Sequence, residues 1–340
     1  MNLYYLRTNL KRYQPLGHIL AEYLGQQLNI LEESEICRLV KKEDIVYYEI
    51  FINPYLENRC CLVGPEYYVA NRWNSKIYQY NQLQNVVEVP SFEVFKNILR
   101  LISDLDRIKK KWKKFIIFEE FGYGGKNCLI CDERTNVEQI FKLFPSNVSI
   151  RVSKFLNIIH NVSLHVIILD HKNIYLSPIV DQHIEGTLFK GGKYPSVLSD
   201  KLKSLVFESS LIVSKKLSDA GYLGMCHLDF ILDDYKVYFC EINPRKAGTT
   251  MCVSYMMERL YDVSLPIIEY HVAQDNVLIV PNKCSNKLIK WDLKLIPYRE
   301  RVTHSPGDER ELFKSSPSVS TIRYNEFHKE CSFEINIVVT

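Results

Sequence analysis

The chain has no run of about 18 apolar residues, the length that a membrane-crossing helix needs. Its first residues, MNLYYLRTNLKRY, lack the apolar core of a secretory signal. No segment repeats at a fixed period and no low-complexity linker appears, which excludes repeat architectures. The ten cysteines show no recurring metal spacing. Cys128 and Cys131 form a lone C-x-x-C in a β-like run, with no second pair and no histidine at zinc-finger distance, so both are expected as reduced thiols. Reduced thiols and the missing signal together predict a cytoplasmic protein. Charge of one sign is also scarce: 43 Lys and Arg against 40 Asp and Glu leave a net charge of +3. The one dense basic run, RIKKKWKK (107–114), closes an apparent helix and reads as a solvated helix end. Neither a nucleic-acid nor a membrane partner is therefore expected.

What is present is a substantial core. Hydrophobic residues make up 46% of the 340 and charged residues 24%, enough for two or three structural units. Apolar periodicity alternates between two and three-to-four along the first third, so strands interleave with helices. NLYYLRT, DIVYYEIFI and NVVEVPS read as strands; YQPLGHILAEYLGQQL and FEVFKNILRLISDLDRIKKKW read as helices. That alternation predicts a parallel α/β layer. The middle turns β-rich, through KKFIIFEEF, KNCLICD, NVSIRVSKFL and VSLHVIIL. A long amphipathic helix, SDKLKSLVFESSLIVSKKLSDAG, then stops at Gly221. The expected division is an N-terminal α/β unit at 1–112, a β-rich unit at 113–185, an α+β unit at 186–300 and a polar, turn-rich extension at 301–340.

Chemistry concentrates in CHLDFILDDYKVYFCEINPR (226–245). Two apolar runs flank an Asp-Asp step, and each carries a carboxylate unusual for strand interior. Alternation puts Glu241 and Asn243 on one face of the second strand. A turn centred near Tyr235 sets Asp229 opposite Glu241 on that face. Two carboxylates so close repel unless a cation lies between them, and hard oxygen ligands suit Mg²⁺. Arg245 adds a fixed positive charge two residues further on. The plain alternative is an edge hairpin with its acids facing water.

The segment GYLGMCHLDFILDDYKVYFCEINPRKAGTT (221–250) resembles the metal-binding segment of the ATP-grasp superfamily, and the resemblance extends over roughly residues 1–275. It implies an ATP-grasp fold: an α/β domain, then a β-lid, then an α+β subdomain with an antiparallel metal-binding hairpin. It implies ATP with Mg²⁺ held by Asp229, Glu241 and Asn243, and Arg245 meeting the transferring phosphoryl group or the substrate carboxylate. NSKIYQYNQLQNVVEVPS (74–91) is similar to the family's entry helix, which makes Lys76 a phosphate-reaching candidate; the alternative is a surface helix lysine. EEFGYGGKNCLI (119–130) stands where the lid's glycine-rich turn lies, implying backbone contacts from Gly124 and Gly125. VSKFLN (152–157) matches the segment whose backbone bonds adenine, at Ser153, Lys154, Phe155 and Leu156. Lys190 and Lys193 read first as loop lysines, with a substrate or phosphate contact as the alternative.

Two departures stand out. The family places a lysine in the strand before the glycine turn, where FIIFEE offers Phe118, Glu119 and Glu120 instead, and Lys126 is the candidate substitute. His227 stands where several ligases have an arginine. The trailing Gly-Thr-Thr resembles peptide-forming ligases of natural-product pathways. The resemblance thus implies ATP-dependent ligation of a small carboxylate and an amine, such as amino acids or peptides, through an acyl phosphate. Family members are often homodimers. A small-molecule kinase on the same fold and a non-catalytic nucleotide-binding protein remain the alternatives.

Overall fold

The computed structural model describes residues 1–6, 14–48, 54–56, 59–122, 124–125, 127–274, 289–297, 320–325 and 331–339. A parallel four-stranded sheet opens the chain, with spatial order Leu28–Leu31, Leu3–Leu6, Ile45–Tyr47, Cys61–Val63. Leu3 to Leu6 are buried on both faces, as expected for a central strand with no polar alternation. Helix Gln14–Leu24 covers one face through Leu16, Ile19 and Leu20, spaced three and four apart. The parallel α/β layer predicted from alternation is therefore present.

Two elements differ from expectation. NVVEVPS (85–91) is not a strand, and the expected single helix that begins at Phe92 is a strand, Phe92–Phe95, followed by two short helices, Ile98–Ser103 and Leu105–Lys111. Phe92–Phe95 pairs antiparallel and in register with the strand Ile150–Lys154, Phe92 opposite Ser153 and Phe95 opposite Ile150. The Asn97 side chain then caps the following helix by accepting the Arg100 N–H.

The second sheet is antiparallel, ordered Phe92–Phe95, Ile150–Lys154, Lys114–Glu119, Cys128–Asp132. Phe115, Ile117, Ile150 and Val152 pack against Ile98, Leu101, Ile108, Ile140 and Phe144. Alternation sends Ile116, Phe118, Arg151 and Ser153 to the opposite face.

Among the described residues the third sheet has nine antiparallel strands, with Val237–Asn243, Gly224–Leu232 and His160–Ile168 adjacent at one end. Leu164, Val166, Ile168, Leu228 and Phe230 point toward helix Asp200–Asp219. Ile167 and Met225 point the other way, toward helices Thr250–Tyr261 and Leu265–Ala273 and the parallel sheet. His165, His227 and Asp229 share that second face by register. Together these three layers make an α/β architecture with an N-terminal α/β region, a β-rich lid and an α+β C-terminal subdomain. No helix among the described residues is long and apolar enough to cross a membrane.

A buried ion pair ties helix Leu265–Ala273 to the parallel sheet. Lys246 Nζ lies 3.2 Å from Glu269 Oε2, donates to the Tyr48 carbonyl at 2.7 Å and sits 4.3 Å over the Tyr47 ring. Tyr47 Oη donates to the same Glu269 oxygen at 3.1 Å. Burial pushes the Glu269 carboxyl upward, and Lys246 opposes that shift. Removing one member of such a pair strands the other charge. Lys246→Met is expected to lower unfolding free energy by about 3–5 kcal/mol; a change in the urea midpoint too small to register would show that the pair does not hold the layers together.

Candidate functional site

The site begins with the hairpin Gly224–Leu232 and Val237–Asn243. Asp229 pairs directly with Glu241 and His227 with Asn243, the register expected from sequence. The route differs from a simple turn centred on Tyr235. The loop is the four residues 233–236, where Asp233 Oδ1 accepts from the Tyr235 and Lys236 N–H groups. The register then shifts between Asp229 and Phe230, leaving Cys240 as the extra residue. That bulge brings Asp229 opposite Glu241.

Amides hold the Asp229 carboxylate in place. Gln182 Nε2 donates to Oδ1 at 2.6 Å and Asn243 Nδ2 to Oδ2 at 2.8 Å. Glu241 has a cation instead: Lys76 Nζ donates to its Oε1 at 2.6 Å and to the Gly122 carbonyl at 2.9 Å. Lys76 can do this because it opens helix Lys76–Leu83, capped by Ser75, whose hydroxyl donates to Glu120. It is only 7% exposed, so it is not a surface helix lysine. The strand ends at Asn243 and the chain bends at Pro244, yet Arg245 stays close enough to act on Asp229, and its Nη1 donates to Asn74 Oδ1 at 2.8 Å. Asp229, Glu241, Asn243, Lys76 and Arg245 thus converge on one region.

Burial dominates the electrostatics of this region. Burial, reinforced by the Glu241 charge, pushes the Asp229 carboxyl up to about 8, against the opposing pull of Gln182, Lys76 and Arg245. Burial and the Arg245 charge hold His227 near 3, so its imidazole is neutral. A proton on Asp229 does here what a divalent cation between the two carboxylates would do. No cluster of three His, Cys, Asp or Glu side chains occurs among the described residues. Two carboxylates with the Asn243 amide oxygen nevertheless form the oxygen-only donor set that suits Mg²⁺, which completes its shell with water and phosphate. The set fits the ion once the Asn243 amide turns its oxygen inward.

The remaining candidates divide. Gly124 and Gly125 have φ of +61° and +74°. A Cβ on Gly125 would overlap the Thr187 carbonyl oxygen, so only glycine lets this turn meet the neighbouring hairpin turn. Thr187 Oγ1 donates to the Gly125 carbonyl at 3.0 Å. Lys126 lies outside the described residues. Ser153 is buried with its hydroxyl unpartnered among the described residues, and Lys154 is exposed. The Lys154 and Phe155 N–H groups donate to the Ser91 and Lys114 carbonyls, so these two donors are already engaged. Leu156 follows the strand end. Lys190 and Lys193 sit on strand Leu188–Tyr194 rather than in a loop, and Lys190 pairs with Glu185 at 3.4 Å. Missed from sequence as site contributors were Gln182 and Asn74; their roles depend on partners 47 and 171 positions away, which no local pattern exposes.

Ligand-free stability should carry the mark of Asp229. With its folded pKa raised, the native state holds a proton that the unfolded chain has lost, so stability falls as pH rises from about 4 toward 8. His227, with its folded pKa depressed, acts oppositely between about 3 and its ordinary value of 6.5, which leaves the Asp229 effect unopposed by it above 6.5. Between pH 6.5 and 8, urea unfolding should show wild type losing about 1 kcal/mol more than Asp229→Asn. Parallel pH profiles for the two proteins would contradict the protonated Asp229.

The family model for the ATP-grasp domain matches residues 73–249, more than half of the chain. No curated protein matches the sequence. Among solved structures, the N5-carboxyaminoimidazole synthetase of Staphylococcus aureus complexed with ADP is similar with a TM-score of 0.74 and 18% identity, over 100% of this chain and 93% of that one. The carboxyaminoimidazole ribonucleotide synthase of Aspergillus clavatus complexed with ATP gives 0.72 and 13%, over 100% and 94%. A biotin carboxylase of Campylobacter jejuni gives 0.71 and 13%, over 100% and 87%. At these identities the likeness speaks for the fold. With its lid sheet, its carboxylate hairpin and a matching domain model, this chain belongs to the ATP-grasp family.

Proposed function

We propose that the protein is an ATP-dependent carboxylate–amine ligase, releasing ADP and phosphate and joining an amino acid or small peptide to an amine. The observation that carries this reading is the convergence of Asp229, Glu241 and Asn243 with two cations, Lys76 and Arg245, under the glycine turn. A carboxylate oxygen of the substrate attacks the γ-phosphorus of ATP and the bond to the β–γ bridging oxygen breaks, giving acyl phosphate and ADP. The amine nitrogen then adds to the acyl carbon, the C–O bond to phosphate breaks, and the amine proton passes to solvent. Phosphoryl transfer asks for positioning and charge neutralisation more than for covalent help.

The chain's own groups supply those needs. Lys76 offsets phosphate charge from the entry helix, and Arg245 stands ready for the substrate carboxylate or the transferring phosphoryl group. Mg²⁺ held by Asp229, Glu241 and Asn243 would neutralise phosphate charge. The glycine turn, seated on Thr187, keeps water from the acyl phosphate. Buried and neutral, His227 adds no charge near Asp229.

A second reading takes bicarbonate as the acid, making a carbamate-type product. The names of two fold neighbours, a carboxyaminoimidazole synthetase and a biotin carboxylase, favour it.

An ADP-release screen over amino acids, small carboxylates and bicarbonate, each with and without amines, tests the proposal with mass spectrometry of the product. Release that needs both an acid and an amine is expected, and Glu241→Ala should lower it at least about 100-fold. Stoichiometric phosphorylation of a hydroxyl compound, or full activity in Glu241→Ala, would overturn the assignment.

A further inference from the structure

The strand that leads into the glycine turn carries Phe118, Glu119 and Glu120 where the family resemblance implies a lysine, but a cation stands beside Phe118. Phe118 pairs in register with Arg151 on the neighbouring strand, and both side chains leave the lid sheet on the face opposite the lid's own helices. Arg151 is 1% exposed. Its guanidinium carbon lies 4.2 Å from the centre of the Phe118 ring and 3.5 Å from that of Tyr80. Those ring faces offset part of the cost of burying the charge. They offer no hydrogen-bond acceptor, and Nε and Nη1 have no partner among the described residues. A planar, permanently charged fork with two unused N–H groups inside a protein lacks its anion.

The position says which anion. Tyr80 belongs to helix Lys76–Leu83, so Arg151 fills the space between that helix and the lid sheet. Phe118 also pairs with Cys128, whose thiol donates to the Gly125 carbonyl at 3.0 Å. Lys76 donates to Gly122 at the other end of the same turn. Lys76 therefore touches the glycine turn, and Arg151 lies beside the strand that leads into it. The Arg151 charge also acts on Cys128 and on Cys240, the residue before Glu241. Ser153, two positions along the same face, adds a second buried side chain with no partner among the described residues.

We infer that Arg151 is the lid cation that grips the phosphate chain of the nucleotide, taking over from the neighbouring strand the task of a lysine at position 118. The inference rests on the ATP reading of the site. Its guanidinium offers Nε–H and Nη1–H, which leave from different edges of the fork, as separate donors to phosphate oxygens, while the Phe118 and Tyr80 rings fix its plane. The chain therefore lacks no lid cation; it carries one a strand away.

Isothermal titration of the full chain with ATP, ADP and adenosine, each with Mg²⁺, tests this in wild type, Arg151→Met and the swap Phe118→Lys/Arg151→Met. Circular dichroism and thermal melting report the fold of each variant. Arg151→Met should weaken ATP and ADP at least about tenfold and leave adenosine within about twofold. The swap should restore ATP affinity to within about threefold of wild type, and it decides the matter if Arg151→Met does not fold. Wild-type ATP affinity in Arg151→Met, equal weakening of ATP and adenosine, or a folded swap that stays tenfold weak would each overturn the role of Arg151. Wild type binding none of the three ligands would overturn the ATP reading itself.

Discussion

Two carboxylates face each other across one antiparallel ladder, and the surrounding site is arranged around that repulsion. Asp229 and Glu241 are a direct cross-strand pair, brought level by a bulge at Cys240. Water is largely excluded: the Asp229 side chain is 16% exposed and that of Glu241 22%. Each acid has a different remedy. Gln182 and Asn243 donate to Asp229, whose carboxyl burial and the Glu241 charge push up to about 8, while Lys76 neutralises Glu241. A protein seeking only stability gains little from such a pair, since burying like charges costs more than a simple apolar contact. The arrangement makes sense as a seat for a divalent cation and a polyanion.

The three layers deliver the groups that meet there. The hairpin brings the acids, the entry helix brings Lys76, and the bend at Pro244 turns Arg245 toward Asn74. The lid sheet keeps one face for its own helices and turns the other, with Phe118, Arg151 and Ser153, toward helix Lys76–Leu83. The glycine turn closes the gap by touching the Thr187 turn of the large sheet. Behind the site, Lys246 and Glu269 tie the end of the hairpin segment to the parallel sheet. Positioning is therefore distributed over elements far apart in sequence.

Much of this was legible in the sequence because its signals are local. Period-two and period-three patterns marked most of the elements, and the hairpin's two acids lie twelve positions apart, within reach of a register argument. That argument gave the right pair through an incomplete mechanism, since nothing local announces a bulge at Cys240. Phe92–Phe95 was misread because a four-residue strand abutting helical residues carries little period-two signal of its own. Lys76 was legible only through resemblance; its burial depends on Glu241, 165 positions away. Arg151 was not legible at all, because one arginine in SIRVSKF looks like the polar face of an ordinary strand until its pairing with Phe118 is known.

The central claim is that the Asp229–Glu241 pair, with Asn243, holds a divalent cation against a nucleotide. Titration of Mn²⁺, as a paramagnetic substitute for Mg²⁺, into the protein with and without ATP tests it most directly when followed by electron paramagnetic resonance. A Mn²⁺ site that tightens with ATP and disappears in Asp229→Asn/Glu241→Gln is the predicted result. Mn²⁺ binding that ignores ATP, or that survives the double substitution unchanged, would contradict it.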